Sequence, residues 1–127
     1  MKRLALLSAL AALGVMLVAA TSASAKPIER TCTTTSKNVT TKNVQGFVYA
    51  TNVDPLQAKY AQCPTAKKVM NKMLSLRIEM PKVYEGFRCT PAVVQTEPDI
   101  VNYKCVFKGA DTATYIMLIF TAKYDQD

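Results

Sequence analysis

Four cysteines, at positions 32, 63, 89 and 105, constrain this 127-residue chain more than any other feature. Four thiols allow three pairings, and each pairing fixes which distant segments must meet. The stretch GFRCTPAVVQTEPDIVNYKC, residues 86–105, places Cys89 and Cys105 symmetrically about Glu97. The residues around both cysteines are rich in β-branched and aromatic types, as strands are. Thr96-Glu97-Pro98-Asp99 between them has turn chemistry, because proline fixes its own φ and aspartate bonds locally. Folding that hairpin sets Cys89 opposite Cys105, where facing Cβ atoms come within about 4.5–5.5 Å. The expected pairing is therefore Cys89–Cys105 and, by elimination, Cys32–Cys63.

Whether thiols oxidise depends on the compartment. Lys2 and Arg3 precede the uncharged run LALLSALAALGVMLVAA and the small-residue ending Ala23-Ser24-Ala25. That is the layout of a secretory signal peptide of bacterial style, cleaved after Ala25. The expected domains are residues 1–25 as leader and residues 26–127 as one exported globular domain, periplasmic or secreted. No stable membrane anchor is expected after cleavage. The whole chain has 16 bases and nine acids; loss of Lys2 and Arg3 leaves 14 bases and a net charge of +5. A domain of this size buries only about 60–65% of its unfolded surface, so disulfides would add needed stability.

Reactive roles for the cysteines fit the sequence poorly. No C-x-x-C pair exists, and the chain has no histidine. No metal and no cofactor are expected. Met70, Met73 and Met80 offer soft sulfur of the kind copper(I) takes, but Met70 and Met73 fall on an apolar helical stripe and read as core. Glu97 and Asp99 lie in a turn, and Glu79 and Glu85 flank Pro81. Paired carboxylate catalysis needs a cleft between such groups, and no catalytic residue is assigned.

The remaining pattern gives the fold. Residues 31–42, TCTTTSKNVTTK, carry seven Ser or Thr and suit an edge or exposed strand. A second strand is expected over 44–51, with Gly46 marking a bulge. Asp54-Pro55 starts a short helix to about Gln62, with Asp as cap and Pro at its first position. A second helix follows from about Thr65 to Leu76, its apolar face Ala66, Val69, Met70, Met73, Leu74 and Leu76. Residues 76–80 read equally as helix or strand. Strands over 83–94, 100–108 and 113–124 complete the chain, with a turn at Gly109-Ala110-Asp111. In the last strand Ile116, Leu118 and Phe120 face one side and Tyr115, Met117 and Ile119 the other, as in a central strand. The expected architecture is α+β: an antiparallel sheet of about five strands with a kinked helix pair on one face, order β-β-α-α-β-β-β, and two disulfides.

Two surfaces are candidates for contact. One is basic: Lys59, Lys67, Lys68 and Lys72 on the helices, joined by Lys82 and Arg88. Positive charge draws anionic partners; Tyr103-Lys104 and Lys123-Tyr124 set aromatics beside bases, but on strands needed for the core, so nucleic acid is not the expected partner. The other is apolar: Tyr115, Met117 and Ile119, which need a loop, the Thr-rich segment or a second copy to cover them. A homodimer is compatible with this. The functional expectation is a non-catalytic exported interaction protein of a bacterial envelope or secreted space, binding or inhibiting a protein or an anionic envelope component. The alternatives are a small-ligand or metal carrier with a pocket between helix and sheet, and a small hydrolase.

Overall fold

The computed structural model describes residues 26–40, 42–77, 80–108 and 113–124. The leader and the turn expected at Gly109-Ala110-Asp111 lie outside the described residues. In chain order the elements are β1 (Ile28–Thr35), β2 (Asn43–Thr51), a 3₁₀ helix (Pro55–Ala61), α1 (Cys63–Leu76), β3 (Lys82–Tyr84), β4 (Phe87–Gln95), β5 (Asp99–Lys108) and β6 (Tyr115–Tyr124). The strands form one sheet of six, in the order β1-β2-β6-β5-β4-β3, with every neighbouring pair antiparallel.

An antiparallel sheet with helical cover and two disulfides is present, but the strand count is six rather than five, and the order is two strands, a 3₁₀ helix, one α-helix and four strands rather than β-β-α-α-β-β-β. The strand expected over 83–94 is cut by a two-residue turn. Glu85 (φ 53°) and Gly86 (φ 79°) both take positive φ, the geometry that suits a tight hairpin between twisted strands. Gly86 is needed there twice over, since a Cβ on it would lie 2.7 Å from the Phe107 ring.

The helical layer also differs from a kinked pair of α-helices. The first segment is 3₁₀, capped by the Asp54 carboxylate, which accepts from the Leu56 N–H at 2.8 Å. Gln62 then extends (ψ 157°), and α1 starts at Cys63 rather than Thr65. Pro64 falls in the first turn, where its missing N–H has no intrahelical partner to lose. Arg77 closes α1 in left-handed geometry, its N–H bonded to the Met73 carbonyl at 3.0 Å. Residues 78 and 79 lie outside the described residues, and Met80 belongs to no strand.

Ala66, Val69, Met70, Met73 and Leu74 are the buried face of α1, as their spacing predicts, whereas Leu76 is 40% exposed. The helix packs chiefly on β1 and also on β2 and β6, where Val48, Ala50, Ile116, Leu118 and Phe120 are the buried inward residues. Gly46 makes this approach possible. It forms no bulge; it pairs in register with Cys32 on one side and Phe120 on the other. A Cβ at Gly46 would sit 2.6 Å from Met70 Sδ and 3.0 Å from Leu118 Cδ1, so glycine lets the helix rest on the sheet backbone.

Covalent and polar ties secure the layers. Cys32–Cys63 joins β1 to the start of α1, and Cys89–Cys105 joins β4 to β5 at directly paired positions. In the chain-entropy picture such loops are worth about 3–4 kcal/mol each. The buried Thr34 hydroxyl donates to Asn71 Oδ1 at 2.8 Å, linking β1 to α1. The buried Thr114 hydroxyl donates to the Asn52 carbonyl and accepts from the Asp54 N–H, fixing the entry to the 3₁₀ helix.

The Gly46–Met70 contact gives a direct test. Gly46→Ala should lower stability by about 1–3 kcal/mol through overpacking, read as a drop in urea midpoint at unchanged slope. In a Met70→Ala background the same change should cost less, by at least about 0.5 kcal/mol. Equal costs in the two backgrounds would refute the contact as the reason for glycine.

Candidate binding face on the open side of the sheet

Alternation along each strand decides which side chains face α1 and which face away. Cys32, Cys89 and Cys105 are fully buried beneath the helical layer. Their chain neighbours therefore point to the other side. Strand register sets those outward residues in rows across the sheet. One row runs Arg88, Val106, Met117, Tyr49, Glu29; the next runs Thr90, Lys104, Ile119, Phe47, Thr31. Nothing among the described residues covers this face completely. Ile119 is 39% and Phe47 37% exposed, and Tyr49, Val106, Tyr115 and Met117 are half-buried. Of the Thr-rich segment, residues 31–35 lie at the sheet edge within β1 rather than over the face.

The outer face is a trough rather than a plane. It encloses an open depression of about 1220 Å³ reaching from Thr31 on β1 to Thr90 and Ala92 on β4. Phe47, Ile119 and Val106 form its apolar floor. Arg88 and Lys104 stand at the β4–β5 end, and Thr31, Gln45, Asn102 and Thr121 supply hydroxyls and amides. The Thr121 hydroxyl donates to Asn102 Oδ1 at 2.7 Å, pinning one part of the rim. No Asp or Glu is among the described residues that line it.

The two contact surfaces read from the sequence fall on opposite layers. Tyr115, Met117 and Ile119 are on the trough side. Lys67, Lys68 and Lys72 lie exposed on α1, and Lys59 is exposed on the 3₁₀ helix. Lys68 and Lys72 are one turn apart on α1. Lys72 stands 5.7 Å from the Tyr84 ring centroid and Lys59 5.1 Å from that of Tyr60. Tyr60 in turn stacks on Phe107 at 4.4 Å. Arg88, grouped with these bases by the sequence reading, is on the other side of the sheet. Lys104, Asn102, Thr121 and Phe47 were not singled out in the sequence. The signal was available: once Cys89 and Cys105 point inward, Arg88, Thr90, Lys104 and Val106 must point outward.

The carrier alternative placed its pocket between helix and sheet. Met70, Met73 and Leu74 fill that space, each with no exposed surface, and the large depression lies on the other face. Of the carboxylates considered for catalysis, Glu85 is in the β3–β4 turn and Glu97 in the β4–β5 turn, both exposed, Asp99 opens β5 half-buried, and Glu79 lies outside the described residues; none lines the trough. No cluster of three metal-ligating side chains occurs among the described residues, and no described helix is long and apolar enough to cross a membrane.

Under the helical layer sits one buried titratable pair. The hydroxyls of Tyr103 and Tyr124 are hydrogen-bonded to each other, and both residues are almost fully enclosed. Burial pushes both phenols above the ordinary tyrosine value, and the shared hydrogen bond raises Tyr103 further. The Arg77 guanidinium, 4.5 Å from the Tyr124 ring centroid, pulls both the other way but does not outweigh burial.

No family model matches this chain, and neither a curated protein nor a solved structure does.

The tyrosine pair predicts an alkaline limit. A raised phenol is neutral in the folded state, so its contribution is complete below about pH 10 and is lost as pH rises past that value. Denaturant midpoints measured from pH 7 to above pH 11 should fall steeply above pH 10. The Tyr103→Phe/Tyr124→Phe protein should show a shallower fall. Parallel curves for the two proteins would count against the assignment.

Proposed function

We propose that the protein is a non-catalytic exported interaction protein of a bacterial envelope or secreted space, and that it engages its partner through the open face of the sheet. One observation carries this reading: among the described residues a six-stranded sheet has a helical layer on one face only, and the other is a trough with an apolar floor and a basic rim. A partly exposed apolar row rimmed by polar and basic side chains is the arrangement that contact sites use. The partner is a protein or an anionic envelope component rather than nucleic acid.

Several features support binding over chemistry. Threonine hydroxyls reach the trough, but the described residues around it include no histidine or carboxylate to activate them. All four cysteines are in disulfides, which accords with an oxidising compartment and removes thiol nucleophiles. The helix-side lysines add long-range attraction toward the same class of partner.

Capture from envelope and culture-fluid extracts tests this with paired variants of the immobilised, oxidised protein. Ile119→Lys should abolish capture of any component that the parent enriches. Lys67→Glu/Lys68→Glu should keep that component with at most a few-fold loss. The reverse pattern would move the contact to the helical layer, and a parent that enriches nothing from either extract would defeat the interaction reading.

A further inference from the structure

We infer that the trough takes an anionic amphiphile, a lipid whose phosphate headgroup sits between Arg88 and Lys104 and whose acyl chain lies on Phe47, Ile119 and Val106. The inference rests on the open face being the binding surface and names the chemistry of its occupant.

Along the two rows that begin at Arg88 and Lys104, polarity in the trough is ordered across the strands, while Asn102, Thr121 and Gln45 form a polar wall beside them. At one end, Arg88 on β4 and Lys104 on β5 are diagonal neighbours: Lys104 faces Thr90, and Arg88 faces Val106. From there the floor turns apolar. Lys104 is followed across the sheet by Ile119 on β6 and Phe47 on β2, and Arg88 by Val106, Met117 and Tyr49. Two strand spacings separate Lys104 from Phe47, roughly 10 Å. A cationic end followed by about 10 Å of apolar floor is complementary to a molecule with one anionic head and one apolar tail. No carboxylate lines the trough to repel such a head. At the far end Thr31 closes one row with a hydroxyl, and Glu29 closes the other row outside the residues that line the trough, at the end away from the proposed headgroup.

A second copy of the chain fits less well. The face is concave, with about 1220 Å³ of open space, and two concave faces meeting would leave that space unfilled. A lost contact is costly in a close-packed interface. A flexible acyl chain can follow the curved floor instead. An acidic protein segment would satisfy the two cations, but the segregation of charge at one end and apolar surface at the other matches a head-to-tail molecule better than a strand with alternating faces.

The test uses the oxidised exported protein and defined probes. Dioctanoyl phosphatidylglycerol, dioctanoyl phosphatidylcholine and glycerol phosphate are titrated below their aggregation limits by calorimetry, with methyl resonances followed by NMR. Phosphatidylglycerol should bind at least about tenfold more tightly than phosphatidylcholine, the scale expected for two partly exposed charge contacts. Glycerol phosphate alone should bind more weakly than either lipid, and the Ile119 methyls should shift on lipid addition. Arg88→Ala/Lys104→Ala changes two exposed residues and should erase the preference for phosphatidylglycerol while leaving phosphatidylcholine binding within about twofold. Ile119→Lys should weaken both lipids.

Equal affinity for the two lipids, a preference that survives Arg88→Ala/Lys104→Ala, or methyl shifts confined to α1 would each overturn the inference. So would a dimer in sedimentation equilibrium that Ile119→Lys dissociates, because a second copy would then hold the face. If no lipid binds but Ile119→Lys still abolishes capture of a protein, the binding face stands and the lipid falls. If lipid binds with the stated preference and no macromolecule is captured, the lipid inference stands and the macromolecular partner falls.

Discussion

The contact of Met70 with the backbone at Gly46 sets the rest of the structure. It brings α1 down onto β2 and β6 closely enough for five apolar side chains to be buried from one helical stripe. A helix with its side chains is about 10 Å wide, and six strands span about 24 Å. One helix therefore covers the β1–β2–β6 side and leaves the β5–β4 side to other groups. Large aromatics take that role: Tyr60 stacks on Phe107, Phe87 packs beside it, and Tyr103 and Tyr124 join hydroxyls under Arg77. With the only described α-helix committed to one face, no described helical element remains for the other.

The disulfides reinforce this asymmetry. Cys32–Cys63 pins the edge strand to the start of α1, so the helix is anchored at its first residue and not only by its apolar stripe. Cys89–Cys105 locks the register of β4 on β5. A one-residue slip would turn every side chain to the opposite face. With that register fixed, Phe87, Tyr103 and Phe107 are held inward, and Arg88, Lys104 and Val106 are held outward. The same bond that secures the core thus fixes the basic end of the trough.

Much of this was legible in the residues. The symmetry of Cys89 and Cys105 about Glu97 gave the hairpin register, and the i, i+3, i+4, i+7 pattern gave the buried face of α1. The central place of β6 followed from apolar residues on both its faces. Other features depended on geometry that periodicity does not carry. Glu85 is an unusual residue at positive φ, so the turn before Phe87 was hidden within a run that reads as one strand. Gly46 read as a bulge because its need comes from a methionine 24 positions away in the chain. The hydroxyl pairing of Tyr103 with Tyr124 joins two residues that local pattern marks only as apolar strand positions. The exposure of Tyr115, Met117 and Ile119 was not readable either, because alternation shows that a face is apolar and not what covers it.

The two basic surfaces differ in what they can contribute to binding. Lys67, Lys68 and Lys72 project from a helix whose apolar stripe is already buried in the core. Exposed cations of this kind attract a partner from a distance, but each contact is screened by salt and worth little on its own. Arg88 and Lys104 border an apolar floor, where a partner that covers the trough also excludes water from beside the charges. Charge contacts strengthen as water leaves, and the apolar area contributes a further term that salt does not weaken in the same way. Of the two basic surfaces, the trough combines both. In the proposed reading the lysines on α1 act on approach, and the open face of the sheet decides what stays bound.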